Sequence, residues 1–156
     1  MKIEIFGINN QTSRKKCRTF ARSVLNKLYS KKESCDKRIL NIIIVSDNYI
    51  KKLIRQFLGQ NRPTDVLAFP VNDIPSTKKT VQSVKCARHS ALALVRCEVW
   101  AEIYISRDRA TFQAKHLKIT SSKEICNLIK HGILHLLGYS HDEMKNFSQR
   151  SPRPLR

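Results

Sequence analysis

Seven consecutive residues, Ile39-Leu40-Asn41-Ile42-Ile43-Ile44-Val45, constrain this chain more than any others. β-branched side chains are stiff at χ1 and pack well on a pleated surface, so a run this dense in Ile and Val reads as a central strand. Ser46-Asp47-Asn48 closes the run and supplies an N-cap, which predicts a helix from about Asp47 to Leu58.

A central strand needs neighbours and covering helices, and the flanking sequence contains both. Ile3 and Ile5 alternate with charged residues as a short strand. Between Ser13 and Ser30, Cys17, Phe20, Ala21, Val24, Leu25 and Leu28 recur at helical spacing, while Arg14, Lys15, Arg18, Arg22 and Lys27 take the remaining surface. This is an amphipathic helix with a basic outer face. Val66-Leu67-Ala68-Phe69, entered at Asp65 and followed by Pro70, reads as another strand. Val71 to about Ser90 lacks periodicity and is expected to be a surface loop; a longer strand from Leu92 to Ser106 and a short helix from Arg107 to Lys115 follow. Ser121-x-x-Glu124 reads as a capping box opening a last helix, with Gly138 where its C-terminal cap belongs. Helices alternating with strands define an α/β (α+β) sheet domain.

At 156 residues the chain is long enough for one core and too short for two ordinary domains. No apolar run approaches the roughly 18 residues of a membrane span, and the N-terminus lacks a signal-peptide pattern, so a cytoplasmic protein without a membrane partner is expected. Five cysteines, odd in number and without a C-x-x-C pair, are expected to be reduced and mostly packed. The net charge of +18, from 30 Lys and Arg against 12 Asp and Glu, points to a polyanionic partner, nucleic acid first. A merely basic solvated surface and an anionic membrane are the alternatives.

Three of the five histidines fall within one short segment: His131, His135 and His141. Residues four apart on a helix are separated by about 40° around its axis, so His131 and His135 project from one face. His141 follows the helix-ending Gly138 and can fold back to the same point. Three neutral imidazoles leave a fourth tetrahedral position for water, the arrangement of a catalytic zinc, although imidazole accepts other borderline ions too. One Zn2+ per chain is expected. The bland alternative is two core-facing histidines plus an exposed one; His89 and His116 read as surface residues. Gly132 stands where H-E-x-x-H has its glutamate base, so a peptidase is disfavoured. Lys130, Lys145, Arg62 and the basic first helix favour a phosphate electrophile over a carbonyl. Asp142 and Glu143 are placed either to hydrogen-bond a ligand imidazole or to be plain exposed acids.

His131-Gly132-Ile133-Leu134-His135-Leu136-Leu137-Gly138-Tyr139-Ser140-His141 resembles the signature of the YbeY family, bacterial zinc-dependent endoribonucleases associated with ribosomal RNA maturation. Pro63-Thr64-Asp65-Val66-Leu67-Ala68-Phe69-Pro70 resembles the family's second hallmark and Glu102-Ile103-Tyr104-Ile105-Ser106 a looser third, so the resemblance covers roughly residues 1 to 145. It implies a four-stranded mixed sheet with about four to five helices and a domain over 1–147, while Ser148 to Arg156, with Pro152 and Pro154, reads as a basic disordered tail in place of a family-like closing helix. It further implies that His131, His135 and His141 are metal ligands acting through a bound zinc and its water. The implied activity is single-strand-specific endoribonuclease cleavage in rRNA maturation, including the 16S 3′ end, and in ribosome quality control, with rRNA and ribosomal subunits as partners. The alternative is an RNA- or ribosome-binding assembly factor with a mainly structural zinc. Where the family usually carries a phosphate-binding arginine this chain has Leu58, which leaves Arg55, Arg62 and Lys130 as candidate RNA contacts. The family's Gly-Asp pair reads Ala101-Glu102, and Ser140 replaces a common acidic residue.

Overall fold

The computed structural model describes residues 1–28, 38–61, 64–71 and 99–144. Its elements run β1 (Lys2–Phe6), α1 (Gln11–Leu28), β2 (Ile39–Val45), α2 (Asp47–Leu58), β3 (Val66–Pro70), β4 (Val99–Ser106), α3 (Arg107–His116) and α4 (Ser121–Leu136), with one further helical turn over 141–144. The expected loop at 71–90 beyond Val71, the first part of the expected strand from Leu92, the tail at 148–156, and Arg62, His89 and Lys145 lie outside the described residues.

The four strands form one mixed sheet in the order β1-β2-β4-β3, with β1, β2 and β4 parallel and β3 antiparallel against β4. The Ile-rich run is therefore internal, as its composition predicts. Strand alternation puts Leu40, Ile42 and Ile44 on one face, beside Ala101, Ile103 and Ile105 of β4. These six are at most 4% exposed, because α1 and α4 cover that face. Cys17, Ala21, Val24 and Leu25 of α1 and Leu128, Ile129, Ile133 and Leu136 of α4 complete the core.

Local signals explain the helix starts. Ser46 caps α2 by accepting the Tyr49 amide, and Gly59 ends that helix with a φ of 65°. Asn10 Oδ1 accepts the Ser13 amide at 3.1 Å, so α1 begins two residues before the apolar periodicity suggests. The capping box expected at Ser121 and Glu124 is corrected: Thr120 is the N-cap, its hydroxyl accepting the Lys123 amide at 3.3 Å. Glu124 lies on the inward side of the first turn, 5% exposed, with its carboxylate on Asn127 Nδ2 at 2.9 Å.

Cys17 and Cys126 are free, with their sulfurs 3.9 Å apart between α1 and α4. No described helix is long and apolar enough to cross a membrane.

Candidate metal centre

α4 can lie close on the sheet because of Gly132. A Cβ there would sit 2.7 Å from Ile103 Cγ2 and 3.2 Å from Val66 Cγ2. The glycine between the two helical histidines is thus a close-packing residue, and a glutamate in its place would have to push the Ile103 and Val66 side chains aside. This is a steric reason for the missing H-E-x-x-H base.

Beside it on α4, His131 and His135 stand one turn apart with ring centroids 4.5 Å apart and Nε2 atoms 3.0 Å apart. The helix then ends in a Schellman motif: Gly138 adopts a φ of 81°, its amide reaches the His135 carbonyl, and the Tyr139 amide reaches the Leu134 carbonyl, both at 3.0 Å. The reversal delivers Ser140, which opens the turn at 141–144 as a reciprocal cap. Ser140 Oγ accepts the Glu143 amide at 3.3 Å, and Glu143 Oε2 accepts the Ser140 amide at 2.9 Å. Serine and aspartate are about equally good N-caps, so Ser140 keeps the function an acidic residue could serve there. Glu143, one candidate partner for a ligand imidazole, closes this box instead. Buried Met144 anchors the turn.

His141 is the first residue of that turn, and its ring lies 5.6 Å from that of His131 and 4.9 Å from that of His135. One ligand nitrogen from each histidine falls within 4.8 Å of the others, the one such cluster among the described residues. Zn–N bonds of 2.0–2.1 Å in a tetrahedron set ligand nitrogens about 3.3 Å apart. The His131–His135 pair is close to that already, and rotation of the exposed His141 side chain closes the remainder.

Charge state fits as well. Burial drives the His135 pKa down to about 4, helped by His131 and His141 and opposed by the Asp65 carboxylate. Burial likewise lowers His131, again against Asp65. Both rings are therefore neutral at pH 7, each with a lone pair to donate. Asp65 is held at the entrance to β3 by the Val66 amide at 2.9 Å and by Gln113 Nε2 at 3.1 Å.

A cavity of about 390 Å³ opens beside His131, lined also by Asp65, Gln113, Glu124, Asn127 and Lys130. Lys130 thus borders the centre. Arg55 is exposed on α2 one turn before Leu58, itself 39% exposed, so the two share a side of that helix. Glu102 belongs to the opposite sheet face, where it accepts Tyr104 Oη at 2.8 Å and Asn41 Nδ2 at 3.4 Å. Burial, then this hydrogen bond, pushes the Tyr104 hydroxyl well above its usual pKa. His116 ends α3 on the surface against Phe112. Sequence reading missed Asp65 and Gln113 as site residues. Asp65 carried a signal, its place in the second motif, whereas Gln113 carried none.

Fold and site together define an α/β domain with a three-histidine cluster that could hold a metal ion. A family model described as Endoribonuclease YbeY matches residues 4–150. The chain belongs to the YbeY endoribonuclease family. It is 38% identical over 117 residues to Endoribonuclease YbeY of Thermotoga maritima, covering 74% of this chain and 62% of that one. The Persephonella marina Endoribonuclease YbeY is 32% identical over 110 residues, covering 70% and 61%. The chain thus spans just over three fifths of the length of these two relatives. A Thermotoga maritima protein solved in solution shares the fold, with a TM-score of 0.50, 24% identity and 99% coverage of both chains.

Proposed function

We propose that this chain is a zinc-dependent endoribonuclease that cuts single-stranded RNA in the cytoplasm and acts in rRNA maturation, including the 16S 3′ end, and in ribosome quality control. The observation that carries the reading is the convergence of His131, His135 and His141, two of them with Nε2 atoms 3.0 Å apart, next to a polar cavity. Membership of the family and the +18 charge support RNA as the substrate.

In this reading the three imidazoles hold the zinc. Bound there, zinc supplies Lewis-acid polarisation of a phosphoryl oxygen and acidifies a water toward neutral pKa. Asp65, fixed by three donors, sets a negative field on the histidine cluster without competing for the helix position that Gly132 needs. Lys130, at the rim of the cavity, holds a phosphate of the substrate, and Arg55 provides the charge that Leu58 lacks. Arg62 is a further candidate contact.

Cleavage of a 16S 3′-end RNA fragment by zinc-loaded protein tests the reading, with a chelated sample and His135→Ala as controls. Cutting by the loaded wild type alone supports it. Leu58 itself favours a second reading, an assembly factor that binds rRNA with little cleavage; RNA binding without product by folded, zinc-loaded protein would select it.

A further inference from the structure

Cys17 of α1 and Cys126 of α4 are 109 positions apart in sequence, yet their Sγ atoms lie 3.9 Å apart in the helical layer that covers the sheet. Cys17 and Ala21, one turn apart and both 0% exposed, are small residues on the inward stripe of α1, which lets that helix lie close against α4. The two thiols differ in access. Cys17 is sealed in the core, whereas Cys126 is only partly buried. They differ in proton affinity as well. The hydrogen bond from Cys17 holds the Cys126 thiol below its ordinary value against its own burial, and the same bond, then burial, pushes Cys17 up.

This asymmetry suits a redox pair. The thiolate is the nucleophile, so an oxidant reacts first at the accessible thiol that loses its proton more easily, and the buried neighbour resolves the product. A disulfide sets its sulfurs about 2.05 Å apart, so about 1.9 Å of the present separation must close. Rotation of the Cys126 side chain between staggered rotamers, with a small adjustment of the helices, supplies that distance.

We infer that Cys17 and Cys126 are a reversible disulfide site, oxidised by hydrogen peroxide through Cys126. The Cys126 thiolate attacks one peroxide oxygen, so that an S–O bond forms, the O–O bond breaks, and the departing hydroxide takes a proton to become water. Cys17 then gives up its proton and attacks Cys126 Sγ. The S–S bond forms, the S–O bond breaks, and the second hydroxide leaves with that proton as water. Two thiols together lose two electrons and two protons, and one hydrogen peroxide is reduced to two waters. The bond ties α1 to the helix that carries His131 and His135, and it stops Cys126 short of irreversible sulfinic acid. Neither metal nor RNA takes part, so the site stands independently of the nuclease reading.

The test is titration of the folded, reduced chain with hydrogen peroxide, read by intact mass, by peptide mapping without reduction and by thermal unfolding. The expected result is a loss of about 2 Da, a linked peptide pair containing Cys17 and Cys126, and a rise in Tm of about 10 °C, all reversed by dithiothreitol. The triple variant Cys35→Ser, Cys86→Ser, Cys97→Ser leaves only this pair of thiols and should behave in the same way. If it fails to fold, the peptide map of the wild type decides alone. Cys126→Ser should show neither the link nor the rise. Oxygen added to Cys126 without a link overturns the site. So does a disulfide that runs through one of the other three cysteines, or a linked protein no more stable than the reduced one.

Discussion

Replacing Gly132 by alanine sets two well-measured effects against each other. In a helix interior the change stabilises by about 1 kcal/mol through backbone propensity. Here the added methyl lies 2.7 Å from Ile103 Cγ2 and 3.2 Å from both Ile103 Cδ1 and Val66 Cγ2. Carbon atoms in contact prefer roughly 3.5–4.0 Å, so the shortfall is about 0.8 Å at the worst contact. Ile103 is 0% exposed and Val66 7% exposed. Both are β-branched and cannot swing aside, which places the overpacking cost near the upper end of its range, about 3 kcal/mol. The net expectation is a loss of about 2 kcal/mol, or roughly 4–8 °C in Tm for a domain of this size. Thermal unfolding of chelated wild type and Gly132→Ala reads the sign directly. A variant more stable than wild type would refute the close packing of α4 on β4. Ile103→Ala should relieve part of the loss in a double-mutant cycle, with coupling above about 1 kcal/mol.

Three further perturbations follow from the same geometry. Ser140→Ala removes the cap that positions His141 and is expected to cost about 1 kcal/mol, which a zinc-competition titration would read as roughly fivefold weaker binding; Ser140→Asp should bind zinc like the wild type. The chelated protein should lose stability as pH falls from about 6.5 toward 4. The unfolded chain takes up protons at ordinary histidine pKa values while folded His135 resists until about 4. Stability therefore rises with pH across that window, by about 1 to 2 kcal/mol from His135 after solvent screening of its half-buried ring is allowed for; urea unfolding with a flat profile over that range would count against the neutral half-buried imidazole. Lys130→Ala and Arg55→Ala should each weaken single-stranded RNA binding and lower its salt slope by about 0.7, and an unchanged slope in either variant removes that residue from the phosphate-binding surface.

The parts of this molecule written in neighbouring residues are legible in the sequence alone. Ile39–Val45 and Asp47–Leu58 have the limits that β-branching and the Ser46 cap indicate, because strand and helix compete locally there and nothing distant overrides the outcome. The histidine cluster was legible for the same reason: a four-residue helical spacing and a glycine stop are short-range facts. What escaped depended on packing. Thr120 rather than Ser121 caps α4, since the inward face of the helix claims Glu124 for Asn127. Glu143 is engaged by Ser140, a partner three residues away that the expected role at an imidazole overlooked. Glu102 belongs to the sheet face opposite Ile103, which follows from strand alternation but matters only once α4 is known to lie on the Ile103 side. Gln113 and Asp65 meet across 48 residues of sequence, and no local pattern announces such a pair.

Zinc content of purified protein is the most direct test of the central claim, that His131, His135 and His141 form one metal centre. Elemental analysis after dialysis against a weak chelator should give one zinc per wild-type chain and a large loss in each of His131→Ala, His135→Ala and His141→Ala, with circular dichroism confirming that the variants remain folded. Full zinc retention by all three folded variants, or none in the wild type after reconstitution, would contradict the account.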